Sequence, residues 1–254
     1  MSYFFLGSVL PPLAVGRPLE WHFDELDVLL RDNMPQKDYQ KIKTIRLYID
    51  LKNVKQILQK NPIDERGNLT EKELDEALAL EEGLPQYLFE HLRKYEDPKD
   101  QVRYFSSVFV QFFKEREENE KAFLSFYFHF EREWRLLLIG LRSKKMNRSL
   151  VGEIQYEDFH DPLVAYLLAQ KDHPRFEFPF EHQKLEEMLS KAGSFPMQQY
   201  ESLVKYRFQY LIERVQDKPF SLDYVLAYFV LFMLLDDWNR LSEEEGHEYL
   251  KELG

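Results

Sequence analysis

Cysteine is absent from the 254 residues. Disulfides, thiolate zinc sites, iron–sulfur ligation and cysteine nucleophiles are thereby excluded, and the absence fits a reducing compartment. Glycine is scarce, at 9, and no Gly-rich phosphate loop, G-x-G-x-x-G or G-x-S-x-G pattern occurs. Nucleotide binding and serine hydrolysis therefore have no support in the sequence. Long apolar runs are missing too. The longest, Tyr224 to Leu235, has twelve residues, whereas a membrane span needs roughly 18–20, so it reads as a buried core helix. The start, Met1-Ser2-Tyr3-Phe4-Phe5-Leu6, lacks a basic n-region, and Pro11-Pro12 interrupts its apolar stretch, so no signal peptide is expected. Positive charge is in deficit: Lys plus Arg is 34 against 45 for Asp plus Glu, a net charge of −11. Such a surface repels phosphate backbones, and no nucleic-acid partner is expected.

What is abundant is aromatic and apolar surface. Aromatics make up 15% of the chain, with 21 Phe and 15 Tyr, and hydrophobic residues 44%. This suits a packed globule. The apolar spacing is helical throughout, and no stretch alternates as a strand flanked by hairpin turns does. Helices are expected over Asp24–Asp32, over Tyr39–Leu58 with one break, from Thr70 to about Glu82, and after Pro85. Thr70-x-x-Glu73 reads as a capping box. Beyond Glu96-Asp97-Pro98-Lys99-Asp100, a candidate soft division of a single 1–254 domain, Val102 to Phe113 carries an apolar stripe. Asn119–Lys145 is expected to be the strongest helix. Its ends complement the macrodipole, with Glu117, Glu118 and Glu120 near the start and Arg142, Lys144 and Lys145 near the end. Short helices are expected at Leu163–Lys171 and Glu181–Ala192, a long one from Pro196, and an apolar one capped by Ser221. A terminal helix is expected from the capping box Ser242-x-x-Glu245. The expected fold class is all-α: a compact bundle of about ten or eleven helices. Glu133-Trp134 and Asp237-Trp238 give it a faint internal echo.

Chemistry-bearing patterns are few. Asp64 to Asp75 resembles a calcium loop only superficially, because its sixth position is Leu69 where glycine is needed. A turn followed by a capped helix explains it better. Glu157-x-x-His160 and Glu244-x-x-His247 have the spacing of carboxylate-bridged di-metal bundles. However, Asp161-Pro162 disfavours a helix at His160, and Glu244 lies in a first helical turn where the dipole alone favours acids. A di-metal oxidase is thus the least favoured reading. His129 and Glu133 are i, i+4 neighbours, and Glu131 is placed to pair with Arg135. No catalytic residue, cofactor or metal site is expected.

Several ordered segments carry a family resemblance. They are Tyr3-Phe4-Phe5-Leu6-Gly7-Ser8-Val9-Leu10-Pro11-Pro12-Leu13, Asp64-Glu65-Arg66-Gly67-Asn68-Leu69-Thr70 and Gly83-Leu84-Pro85-Gln86-Tyr87-Leu88. Asn119-Glu120-Lys121-Ala122-Phe123-Leu124, Phe130-Glu131, Arg142-Ser143-Lys144-Lys145 and Leu150-Val151-Gly152-Glu153 follow, then Phe220 to Tyr228 and Asp237 to Gly246. Through them the chain resembles the small bacterial proteins encoded among V-type ATPase genes. That family is distantly similar to the C-type (in eukaryotes d-type) funnel of the V-type ATPase, the helical component that joins the rotor stalk to the membrane ring. The segments are packing and capping patterns, and their order and coverage carry the resemblance. The chain departs from the family where Phe126 or Tyr127 replaces a tryptophan, and where Asp237 replaces an arginine. The resemblance implies a non-catalytic coupling or assembly role in a rotary, ion-transporting ATPase. It implies the central stalk and membrane ring as partners, and a cytoplasmic location peripheral to the inner membrane through that complex. A general helical adaptor is the alternative. The expected partner contacts are Glu131, Arg135, Arg142, Asp237 and Arg240, the polar groups near the two Trp positions Trp134 and Trp238.

Overall fold

The computed structural model describes residues 3–241. Thirteen α-helices occur among them: α1 (Phe4–Val9), α2 (Phe23–Asn33), α3 (Gln36–Gln59), α4 (Glu71–Leu80), α5 (Gln86–Lys94), α6 (Pro98–Arg103), α7 (Ser106–Asn119), α8 (Ala122–Lys145), α9 (Leu150–Glu153), α10 (Pro162–Ala169), α11 (Gln183–Ala192), α12 (Pro196–Ile212) and α13 (Leu222–Arg240). A 3-10 turn at Phe180–His182 precedes α11. No strand occurs among the described residues, so the fold is all-α. The helices outnumber the expected ten or eleven because short pieces such as α1, α6 and α9 are separate elements. The expected Ser242 capping box, its helix and the Glu244-x-x-His247 spacing lie outside the described residues.

The chain forms two compact units. The first comprises the residues up to Asn33 together with those from Ala122 on, and the second is Met34–Lys121. The expected division at 96–100 falls inside the second unit, for a local reason. Asp97 caps α6 by accepting from the Lys99 amide at 2.9 Å, and Pro98 sits in the first turn, where its missing N–H costs nothing. The Gln101 amide then donates back to the carbonyls of Leu92 at 3.0 Å and Tyr95 at 2.8 Å. What reads as a linker is a stitched helix-to-helix turn.

In the second unit, α3 runs unbroken for 24 residues, about 36 Å at 1.5 Å per residue. It ends at Lys60, which is left-handed (φ 60°) and returns its amide to the Gln56 and Ile57 carbonyls. Tyr48 of α3 meets the rings of Phe109, Phe112 and Phe113 of α7 at 5.2–5.6 Å. The calcium-like stretch is indeed a turn with a capped helix. Thr70 and Glu73 form a complete capping box at the start of α4.

The first unit is centred on α13. Every residue from Val225 to Leu235 is buried, the signature of a helix surrounded on all sides. Ser221 starts it by accepting from the Tyr224 amide at 3.1 Å, and α8, α12 and α1 pack on it. No helix of the described residues is long and apolar enough to cross a membrane. The other long helix, α8, begins at Ala122, three residues later than expected. Ala122 has φ 54°, and α7 ends at Asn119. Glu117 and Glu118 therefore belong to the end of α7, and α8 has no acid in its first turn. Only the basic end of the macrodipole argument survives, in Arg142, Lys144 and Lys145.

Candidate functional site

The expected contact residues are mostly committed within the first unit. Glu131 is buried and pairs with Arg207, not with Arg135 four residues on. Arg207 also lies 5.4 Å from the centroid of the Trp134 ring. Arg135 pairs with Glu157, whose side chain is 2% exposed, and Arg132 joins the same carboxylate at 3.1 Å. Arg132 also reaches Asp161 at 2.9 Å, while Asp161 caps α10 by accepting from the Leu163 and Val164 amides. At the end of α8, Arg142 is half-buried. At the end of α13, Asp237 is half-buried and exposed Arg240 pairs with Asp236 at 2.9 Å. These five residues do not make one site.

The first Glu-x-x-His spacing separates in the fold. Glu157 is taken by two arginines, while His160 is exposed in a turn before α10. No group of three His, Cys, Asp or Glu residues able to hold a metal ion occurs among the described residues.

Elsewhere in the first unit, groups distant in sequence do converge. A cleft of about 410 Å³ is lined by Phe126, His129, Phe130 and Glu133 of α8, with Pro162, Leu163 and Tyr166 of α10, Tyr210 of α12, and Pro179, Glu181 and His182 around the 3-10 turn. His129 Nε2 lies 3.4 Å from one oxygen of Glu133, and His182 Nε2 lies 3.8 Å from the other. The second nitrogen of His182 is 2.7 Å from the Tyr206 hydroxyl. With a carboxylate on the Nε2 side, the consistent arrangement is Nε2–H toward Glu133 and the Tyr206 O–H donating to Nδ1.

Electrostatics fix what these groups can do. Burial pushes the Glu133 carboxyl up, but the neighbouring His129 and His182 side chains, above all when protonated, outweigh it and hold the carboxyl at about 2. Burial raises the hydroxyls of Tyr206 and Tyr210, and neighbouring Glu133 adds to the rise. Burial and the charges of Glu177, Glu186 and Glu181 raise Tyr166. The acid is thus fixed as an anion and the phenols as neutral groups. Neither group is poised for proton transfer near neutral pH. Sequence spacing identifies the His129–Glu133 pair, but His182, Tyr206 and Tyr210 come from 49 to 77 positions after Glu133 and carry no local signal.

A second feature joins the two ends of the first unit. The Tyr3 amide donates to the Phe220 carbonyl at 3.2 Å, and the Phe4 and Phe220 rings lie 4.9 Å apart. Gly7 permits this approach, because a Cβ there would collide with the Pro219 carbonyl. Phe4, Phe5 and Phe220 are 63%, 56% and 45% exposed. Phe4 and Phe220 form an aromatic edge on the surface, and exposed Phe5 follows Phe4 in α1.

A family model described as "Protein of unknown function (DUF2764)" matches residues 1–253. The chain belongs to the DUF2764 family. An uncharacterized protein of Chlamydia trachomatis serovar D is 27% identical over 253 residues, covering 97% of this chain and 95% of that one. An uncharacterized protein of Chlamydia pneumoniae is 28% identical over 259 residues, covering 99% and 97% respectively. No solved structure matches. The cleft and the aromatic edge both lie within the span that the DUF2764 family match covers.

Proposed function

We propose that this protein is a non-catalytic component of a V-type ATPase, akin to the C-type funnel, that couples or helps assemble the central stalk with the membrane ring. The observation that carries this reading is the aromatic edge of Phe4 and Phe220, with exposed Phe5 following Phe4 in α1. It is assembled from two segments at opposite ends of the chain, and both belong to the ordered resemblance. Large apolar side chains held together in the open are the kind of surface that a partner covers. Each is worth roughly 1.5–3 kcal/mol when fully buried. The body behind the edge suits transmission of force. Its central helix is packed on every side, and its buried charges are paired.

The test is affinity purification of the tagged full-length chain at native expression, in a host that encodes a V-type ATPase. Stalk or ring proteins of that ATPase are expected to co-purify. The double substitution Phe4→Ser, Phe5→Ser should reduce their recovery at least tenfold, with the helical signal unchanged. Recovery of unrelated proteins without ATPase components would instead favour a general adaptor.

A further inference from the structure

We infer that the cleft of the first unit binds an organic cation, an alkylammonium or guanidinium group, with Glu133 as its counter-charge and the rings of Phe126, Tyr166 and Tyr210 around its carbon stem. This inference is independent of the coupling role and stands or falls by itself.

The sign of the charge comes first. Of the described residues that line the cleft, none is lysine or arginine, while Glu133 and Glu181 are both acids. Glu177 and Glu186 add negative charge near Tyr166. These acids favour a cation, and His129 and His182, also in the lining, add positive charge only when protonated. The depressed carboxyl of Glu133 keeps its charge throughout the physiological range. Its two histidine contacts, at 3.4 and 3.8 Å, leave acceptor capacity open, because a carboxylate offers about four lone-pair sites.

The walls come second. Phe126 and Phe130 stack on Tyr210 at 5.7 and 4.4 Å between ring centroids. The negative faces of such rings attract a cation, most strongly where water is displaced. Exposed Arg214, outside the lining, lies 5.2 Å from the centroid of the Phe126 ring, an example of a guanidinium against one of these rings. Tyr166 and Tyr210 stay protonated and so add no charge of their own. A volume of about 410 Å³ suits one small molecule or one long side chain. Two sources fit this chemistry: a free amine, or a lysine or arginine side chain presented by a partner.

Calorimetric titration of the full-length protein at pH 7.5 tests the inference. The probes are n-butylammonium and N-acetyl-arginine amide, with n-butanol and butyrate as neutral and anionic counterparts. Both cations are expected to bind at least tenfold more tightly than butanol, and butyrate not detectably. Glu133→Gln should weaken the cations about tenfold and leave butanol unchanged. Glu181→Gln alters an exposed residue, so folding is not at issue, and should weaken them about two- to threefold. An arginine-containing peptide that binds much more tightly than the free amide points to a partner side chain, and the reverse order points to a free amine. Equal binding of butanol and butylammonium, or cation binding unchanged in both variants, would overturn the inference.

Discussion

Buried carboxylates in the two units are held by different means. In the first, charge meets charge: Glu157 lies between Arg132 and Arg135, and Glu131 is held by Arg207. In the second, a carboxylate holds backbone. Asp50 of α3 accepts from the Asn68 amide at 2.6 Å, the Leu69 amide at 3.2 Å and the Asn68 side chain at 2.7 Å. Asn53 exchanges two 2.8 Å hydrogen bonds with the main chain of Asp64, and Arg46 reaches the carbonyls of Arg66 and Gly67. Burial dominates at Asp50 and raises its carboxyl despite the hydrogen bonds from Asn68 and Leu69, whereas at Glu133 the two histidines prevail and the shift is downward. An ion pair fixes how side chains of separate helices meet. A carboxylate on amides fixes the path of a loop. Disturbing them should therefore fail differently.

The largest expected effect is in the first unit. Glu157→Ala removes the carboxylate shared by buried Arg132, which keeps Asp161, and half-buried Arg135, and breaking such a buried pair typically costs about 3–5 kcal/mol. All three tryptophans, Trp21, Trp134 and Trp238, lie in this unit, so the denaturant midpoint followed by tryptophan fluorescence reads it directly. Next is Gly67→Ala in the second unit. A Cβ there would sit 2.5 Å from the Asp50 carboxylate and 3.0 Å from the Asn53 amide. The expected loss is about 1–3 kcal/mol, seen as faster hydrogen exchange at the Asn68 and Leu69 amides. Thr70→Ala removes the capping box and should cost about 1 kcal/mol, read as fraying of the first turn of α4.

Acid should separate the units by the smallest margin, since the groups concerned are partly open to water and screened. In the second unit, burial lowers His91 from its ordinary 6.5. Its ring nitrogens contact the Gln101 carbonyl at 2.9 Å and the Ser107 hydroxyl at 3.0 Å. Because the folded state disfavours protonation, His91's contribution is intact above pH 6.5 and falls away below it. Glu133 contributes above its ordinary 4.5 and loses that contribution as pH falls toward about 2. Hydrogen-exchange protection around α5 and Gln101, taken relative to the intrinsic exchange rate at each pH, should therefore fall between pH 7 and 5.

Local chemistry was legible in the sequence wherever a few adjacent residues decide it. Ser221 and Thr70 cap their helices, Pro196 opens α12, and the unbroken apolar run of α13 is buried. The break at Glu120-Lys121 was not legible, because helix-favouring residues run through it and only the left-handed Ala122 marks it. Nor was the true partner of Glu131. Local spacing offers Arg135, but the fold brings Arg207 from 76 residues away. The cleft shows the same limit: one helix carries His129 and Glu133, and tertiary packing delivers His182 and Tyr210.

The most direct measurement is to purify an intact V-type ATPase gently from native membranes and quantify this chain by mass spectrometry. A docking component should be present in a fixed ratio to the stalk proteins and should hydrolyse no ATP when isolated. Its absence from an active holoenzyme that retains stalk and ring would contradict the account.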